Sequence, residues 1–175
     1  MRARVVYESM FGNTAAIAEA IAQGLAEHAS VEILTVVAAA EVPAQPVDLL
    51  FVGGPTHALG LSRTRTRRDA ETRTDAPVVV DIGIREWLDA AFPPAPGARA
   101  VAFGTRIARP SWLPGSAARG AGRRLRRLGY ELADKPMDFL VDGMLGPLTK
   151  GELERAHAWA ERLAHTEADR IAHRF

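Results

Sequence analysis

Apolar residues recur along the chain in two rhythms. Short continuous runs, Val5-Val6-Tyr7, Leu49-Leu50-Phe51-Val52, Ala100 to Phe103 and Phe139-Leu140-Val141, are bounded by polar or turn-forming residues. Runs of this length read as strands buried on both faces. Val31 to Val37 is β-branched and alternates, which predicts a further strand. Between the runs the spacing changes to three and four. Ile17, Ile21 and Leu25 with Ala18 and Ala22, then Ile84, Trp87, Leu88 and Ala91, then Ala118, Ala121, Leu125 and Leu128, and finally Leu153, Ala156, Ala160 and Leu163 each mark one face of a helix. Phe92-Pro93-Pro94 stops the second of these, Ser116 caps the third, and Thr149 with Glu152 has capping-box spacing before the fourth.

The connections are read from their turn residues. Ala38 to Val47 carries two prolines and is expected to be irregular. Gly53-Gly54-Pro55 predicts an abrupt turn closing a central strand, and Gly104-Thr105-Arg106 a loop running on to Pro114. Residues 55–81 are long and polar for a connection, with Ser62 to Thr72 able to form a short helix. Strands alternating with helices imply a parallel sheet covered on both faces. No internal repeat is present, so residues 1–175 are expected to form a single α/β domain.

Composition narrows the function classes. Among the 175 residues there is no cysteine, which excludes disulfides, cysteine-ligated metals and thiol nucleophiles. A net charge of +1 excludes nucleic-acid binding by bulk charge. No run of apolar residues is long enough to insert in a membrane, and the N-terminus lacks the apolar core of a signal peptide, so a cytoplasmic location is expected. The balance conceals a pattern: residues 63–73 carry +3 and residues 119–127 carry +5, leaving −7 for the rest. The 119–127 arginines read either as a solvated helix face or, as the lesser alternative, as a contact for a partner or for nucleic acid. His157, His165 and His173 recur every eight residues, two helical turns apart, and read as surface residues rather than metal ligands.

The segment richest in chemistry is Glu8-Ser9-Met10-Phe11-Gly12-Asn13-Thr14, between the first strand and the first helix. The first amides of a helix lack internal acceptors and its dipole favours an anion, so this loop is either an ordinary capped turn or a phosphate site. It contains neither GxxxxGK[ST] nor GxGxxG, which excludes ATP and NAD held by those devices. A response-regulator receiver would need more acids after the first strand than Glu8 and an Asp ending the third.

The run from Val5 to Ile21 resembles the flavodoxin signature: two apolar residues, Tyr7, Ser9, Gly12 and Thr14, then Ala18 and Ile21 at the expected offsets. Met10 departs from it, standing where many flavodoxins have a hydroxyl residue. The resemblance, of the short-chain form, implies a three-layer α-β-α sandwich with a five-stranded parallel sheet of order 2-1-3-4-5, binding FMN at the carboxyl ends of the strands. It implies a phosphate held by Ser9, Met10, Phe11, Gly12, Asn13 and Thr14. Pro55, Thr56, His57 and Gly60 are then expected on one side of the flavin ring, and Gly104, Thr105 and Arg106 at its pyrimidine edge. Trp112 either forms an aromatic wall or packs on the core; His57 either stacks on the ring, titrating near neutral pH, or is an exposed loop histidine.

Three functions follow from the resemblance. The first is an FMN-binding electron carrier, whose redox partner is expected to be acidic and to dock near Arg63–Arg73. The second is an FMN-dependent NAD(P)H:quinone-type reductase, and the third a flavin-free scaffold that binds a partner.

Overall fold

The computed structural model describes residues 1–43, 45–108 and 114–173. Strand β1 (Arg2–Tyr7) leads to helix α1 (Asn13–Leu25), and β2 (Ser30–Thr35) to α2 (Val36–Glu41). Next come β3 (Leu49–His57), β4 (Gly60–Leu61), α3 (Thr64–Glu71) and α4 (Ile84–Asp89). The chain finishes with β5 (Arg99–Ile107), α5 (Ala117–Leu128), β6 (Glu131–Leu132), β7 (Met137–Val141) and α6 (Glu152–Ala172).

The sheet runs β2-β1-β3-β5, with β6 and β7 both paired to β5 at successive points along its far edge. These pairings are all parallel. Counting β6 and β7 as one interrupted edge strand, the order is the expected 2-1-3-4-5. Strand β4 runs antiparallel, folding back on the end of β3.

Alternation along the strands splits the core in two. Val5, Phe51, Val101, Phe103 and Phe139 pack under α1 and α6, whereas Val6, Leu50, Val52, Ala100 and Ala102 pack under α2, α4 and α5. The helices thus form one layer on each face, as a parallel sheet buried on both sides requires.

Several elements depart from the sequence expectation. Val36 and Val37 leave the second strand, because Thr35 Oγ1 accepts from the Ala38 amide at 3.2 Å and starts α2. Gly53-Gly54-Pro55 is no turn: β3 continues through it, pairing with Phe103, Gly104 and Thr105. A glycine is needed at 53 because a Cβ would fall 2.3 Å from the Phe103 ring. Gly104-Thr105-Arg106 is likewise strand, held between β3 and β7. The capping box at α6 does not form. Gly151 is the N-cap, Thr149 Oγ1 donates to Asp142, and the Glu152 carboxylate accepts from the Leu140 amide at 2.7 Å. The apolar line of α6 is also shifted: Leu153 is exposed, and Trp159 is buried between Phe51 and Phe139, with ring centroids 5.6 and 5.9 Å away.

Trp159 joins α6 to the sheet centre, and its Nε1 donates to Asp134 Oδ2 at 2.8 Å. Trp159→Ala is expected to destabilise the fold by about 3–5 kcal/mol through the cavity it leaves, measured as a lowered urea midpoint.

Candidate functional site

The carboxyl ends of β1, β3 and β5 converge on one crevice, of about 90 Å³. Its floor begins at the end of β1, where the Glu8 amide donates to Gly53 O at 3.0 Å. The chain then turns at Gly12, whose φ of +88° lies in the left-handed region that glycine occupies without a Cβ penalty. Gly12 is the N-cap of α1 and supplies no side chain to bond the first amides. Its own amide donates to Ser9 Oγ at 3.2 Å. Among the described residues, the amides of Asn13, Thr14 and Ala15 have no acceptor; the first intrahelical bond runs from Ala16 to Gly12 O. Three amide donors at a positive helix end, beside the Ser9 hydroxyl, fit a phosphate group.

The walls come from the other strands. Thr14 Oγ1 and Thr105 Oγ1 lie 2.7 Å apart, both buried, and tie the start of α1 to β5. Thr56 Oγ1 accepts from the Ala117 amide at 3.0 Å, tying β3 to the start of α5. Arg106 donates to Gly115 O at 3.4 Å and pairs with Asp138 at 3.5 Å. Burial pushes the Asp138 carboxyl up, against the lowering effect of Ser116 and the neighbouring arginines.

Ser9, Met10, Phe11, Asn13, Thr14, Pro55, Thr56, His57, Thr105 and Arg106 all line the crevice. Gly12 shapes the loop from behind. Gly104 lies within β5 between Gly54 and Asp138 and does not line it, nor does Gly60, which sits in the hairpin after His57. Trp112 is outside the described residues. The sequence reading missed Ile107, Val141 and Met144, which complete the lining. Met144 belongs to the loop after β7, which Asn13 Nδ2 engages through Leu145 O at 3.3 Å.

It also missed the support beneath the site. Glu8 is only 4% exposed; its Oε1 accepts from Ser62 Oγ, and its Oε2 from the Ile84 amide at 2.9 Å. Arg67, fully buried on α3, donates to Ser62 Oγ at 2.8 Å and to Val80 O at 2.7 Å, and pairs with Glu86 at 3.1 Å. Burial raises the Glu8 carboxyl while the Ser62, Ile84 and Arg67 contacts oppose it. One member of the Arg63–Arg73 tract is therefore structural. Arg63, Arg65, Arg68 and Arg73 remain exposed. The two basic tracts also approach one another: Arg85 is pushed down first by burial and then by the charges of Arg124 and Arg63.

The turn joining β3 to β4 is unusual. Ala58 and Leu59 have φ of 42° and 74°, left-handed values at both central positions of a two-residue hairpin. Asn-Gly is the usual choice there, and a non-glycine residue so placed costs about 1–3 kcal/mol. His57 precedes this turn, half-buried. Burial, and then the charge of Arg67, hold its imidazole below the usual range, so it is neutral at pH 7 instead of titrating there.

No family model matches the sequence, and no curated protein matches it significantly. Solved structures do resemble the fold. A flavodoxin from the domain Archaea is 22% identical, with a TM-score of 0.66 over 95% of this chain and 99% of its own. An oxidised flavodoxin from Bacillus cereus is 18% identical, with a TM-score of 0.64 over the same shares. A short-chain flavodoxin associated with a PDU bacterial microcompartment is 15% identical, with a TM-score of 0.57, also over 95% and 99%. The chain has the flavodoxin-like fold.

His57 gives a pH prediction. Because the folded state disfavours protonation, the unfolded chain takes up the proton first as pH falls. The stabilisation is complete above about pH 6.5 and is lost on acidification. His57→Gln is expected to lose less stability than the parent chain between about pH 7.5 and about pH 5.5, measured by urea unfolding at both values.

Proposed function

We propose that the chain binds FMN non-covalently in the crevice and carries electrons between redox partners. The observation that carries this reading is the set of unpartnered amides at Asn13, Thr14 and Ala15, opening on a crevice walled by the ends of β3 and β5. Ser9, Gly12, Asn13 and Thr14 would hold the phosphate. No Lys or Arg lies between Glu8 and Thr14, so binding rests on hydrogen bonds to a charged acceptor, worth about 1.5–3 kcal/mol each, and on the helix dipole. Pro55, Thr56 and His57 would flank one side of the ring, and Thr105 and Arg106 its opposite edge. A neutral His57 contributes ring surface and no positive charge at pH 7. The flavin, when bound, supplies the electron chemistry, and the protein supplies binding, orientation and electrostatics.

The partner is expected to be acidic. Arg63, Arg65 and Arg68 on and before α3, with Arg119, Arg123 and Arg127 on α5, present exposed guanidinium groups. Complementary charge raises the encounter rate at low salt and is screened as salt rises.

Two outcomes test the proposal. Titration of the purified chain with FMN should quench the flavin's fluorescence, and Gly12→Val should weaken binding about tenfold or more, the cost of a side chain at a left-handed position. Circular dichroism should show the variant folded. Absence of quenching with the parent chain would exclude the reading, and NADPH turnover with a quinone by the chain alone would mark a reductase instead. Arg65→Gln with Arg68→Gln, leaving buried Arg67 intact, should slow electron transfer to an acidic partner at low salt and have little effect at high salt. An unchanged low-salt rate in stopped-flow would leave the tract a solvated face.

A further inference from the structure

A second cavity, of about 540 Å³, lies away from the crevice, near the amino ends of β3, β5 and β6. It opens under the face covered by α2 and α4, helices of only 6 residues each. Most of its wall is apolar: Leu50, Trp87 and Phe92 with several alanines and prolines. A volume of this size and an apolar lining with few polar groups are those of a small-molecule site.

The polar group that gives the cavity its chemistry is Arg4. It sits in β1 between Ala3 and Val5, opposite Leu50, and is only 8% exposed. Its Nε donates to Glu32 Oε2 at 2.7 Å. Neither terminal nitrogen has a partner among the described residues, and neither is among the buried atoms sealed off without one. Both therefore retain some open surface, and Arg4 is among the residues that line the cavity. Burying a charge in an apolar wall is costly unless it is paired, and this one is paired through a single nitrogen to a carboxylate that is half exposed. The other polar groups are compatible with an incoming anion. Tyr130 keeps its hydroxyl proton, its phenol pushed up by burial although Arg4 opposes this. Glu86 Oε2 is already engaged by Arg67 and the Gly83 amide. Gln45 accepts from Arg2 and leaves its amide donor free for a ligand.

We propose that this cavity binds an apolar monocarboxylate, its carboxylate on the Arg4 fork and its body between Trp87, Phe92 and the alanine wall. The inference does not depend on the flavin reading. Phe92, 79% exposed at the rim, gives the ligand's body an apolar entrance.

The test is calorimetric titration of the full chain, with excess FMN present to occupy the crevice, using 2-naphthoate and its neutral analogue 2-naphthamide. Naphthoate is expected to bind at least about tenfold tighter, as a bidentate charge-assisted contact implies. Arg4→Met should abolish that preference while leaving naphthamide unchanged. Ala91→Trp, which fills the cavity, should weaken both. Should Arg4→Met fail to fold, Arg4→Lys keeps the charge and loses the fork, and is expected to lower the preference without removing it. Equal affinities for the two probes, no binding of naphthoate at millimolar concentration, or a naphthoate affinity indifferent to both Arg4→Lys and Ala91→Trp would overturn the proposal.

Discussion

The buried Glu8 carboxylate is the contact on which the site end of the molecule depends. It lies one residue past β1, where the chain must leave the sheet to form the loop before α1. Its two oxygens fasten that point to Ser62 and to the start of α4. Arg67 extends the fastening to Val80 and Glu86. The segment between β3 and β5 contains two short helices and the two-residue β4, and its buried apolar anchors are few: Leu61, Ala70, Ile84 and Leu88. Polar contacts do the work, and they are effective because they are buried and almost fully satisfied. Pinning residues 62–86 also fixes the hairpin that carries His57, and so the distance between the crevice's floor and one wall.

How much of this was legible follows from the range of each interaction. The loop before α1 is a contiguous segment whose donors are its own backbone amides; its residues left a capped turn and a phosphate site both open, and the resemblance to the flavodoxin signature is what singled out the second. The parallel sheet covered on both faces followed from the alternation of strand and helix, and its order from the resemblance to flavodoxins. The extensions of β3 and β5 were hidden because Gly53, Gly54 and Gly104 look like turn residues, whereas here all three are strand, and Gly53 and Gly104 admit close packing there. Glu8 was illegible because its partners Ser62 and Ile84 lie 54 and 76 residues along the chain, and Arg67 because it joins Ser62 to Val80, 13 residues further on, inside a segment with no readable periodicity. A charged residue at a buried helical position interrupts the apolar periodicity instead of announcing itself. Trp159 was missed because the line on α6 was anchored on Leu153, which faces solvent. Met144 reaches the crevice only through the loop tethered by Asn13.

The electrostatics of the fold are similarly divided between core and surface. Arg67 and Arg4 are buried and Arg99 is largely covered, and each is met by a carboxylate, Glu86, Glu32 and Glu167 respectively. Arg65 and Arg68 on α3 and Arg119, Arg123, Arg126 and Arg127 on α5 face water, whereas Arg124 is largely covered and pairs with Asp89 at 2.9 Å; the charges of Arg63 and Arg124, one from each tract, both act on Arg85. A near-neutral chain thereby acquires a basic side without a basic total. Nothing in the net charge distinguishes the arginines that build the fold from those available to a partner; burial does.

The Thr14–Thr105 contact carries a consequence in proton counting. Two hydroxyls 2.7 Å apart hold two protons, and the bond between them uses one. The other has no acceptor among the described residues and remains for whatever occupies the crevice. Which threonine offers it depends on which way the pair points, and either oxygen can be the donor. An anion beside Thr14 would orient the pair so that Thr105 gives its proton to Thr14 and Thr14 gives its own to the anion. The two hydroxyls then act as a short polarised chain, and an occupant of the crevice sets the hydrogen-bond direction as far as β5, the strand next to the sheet's far edge.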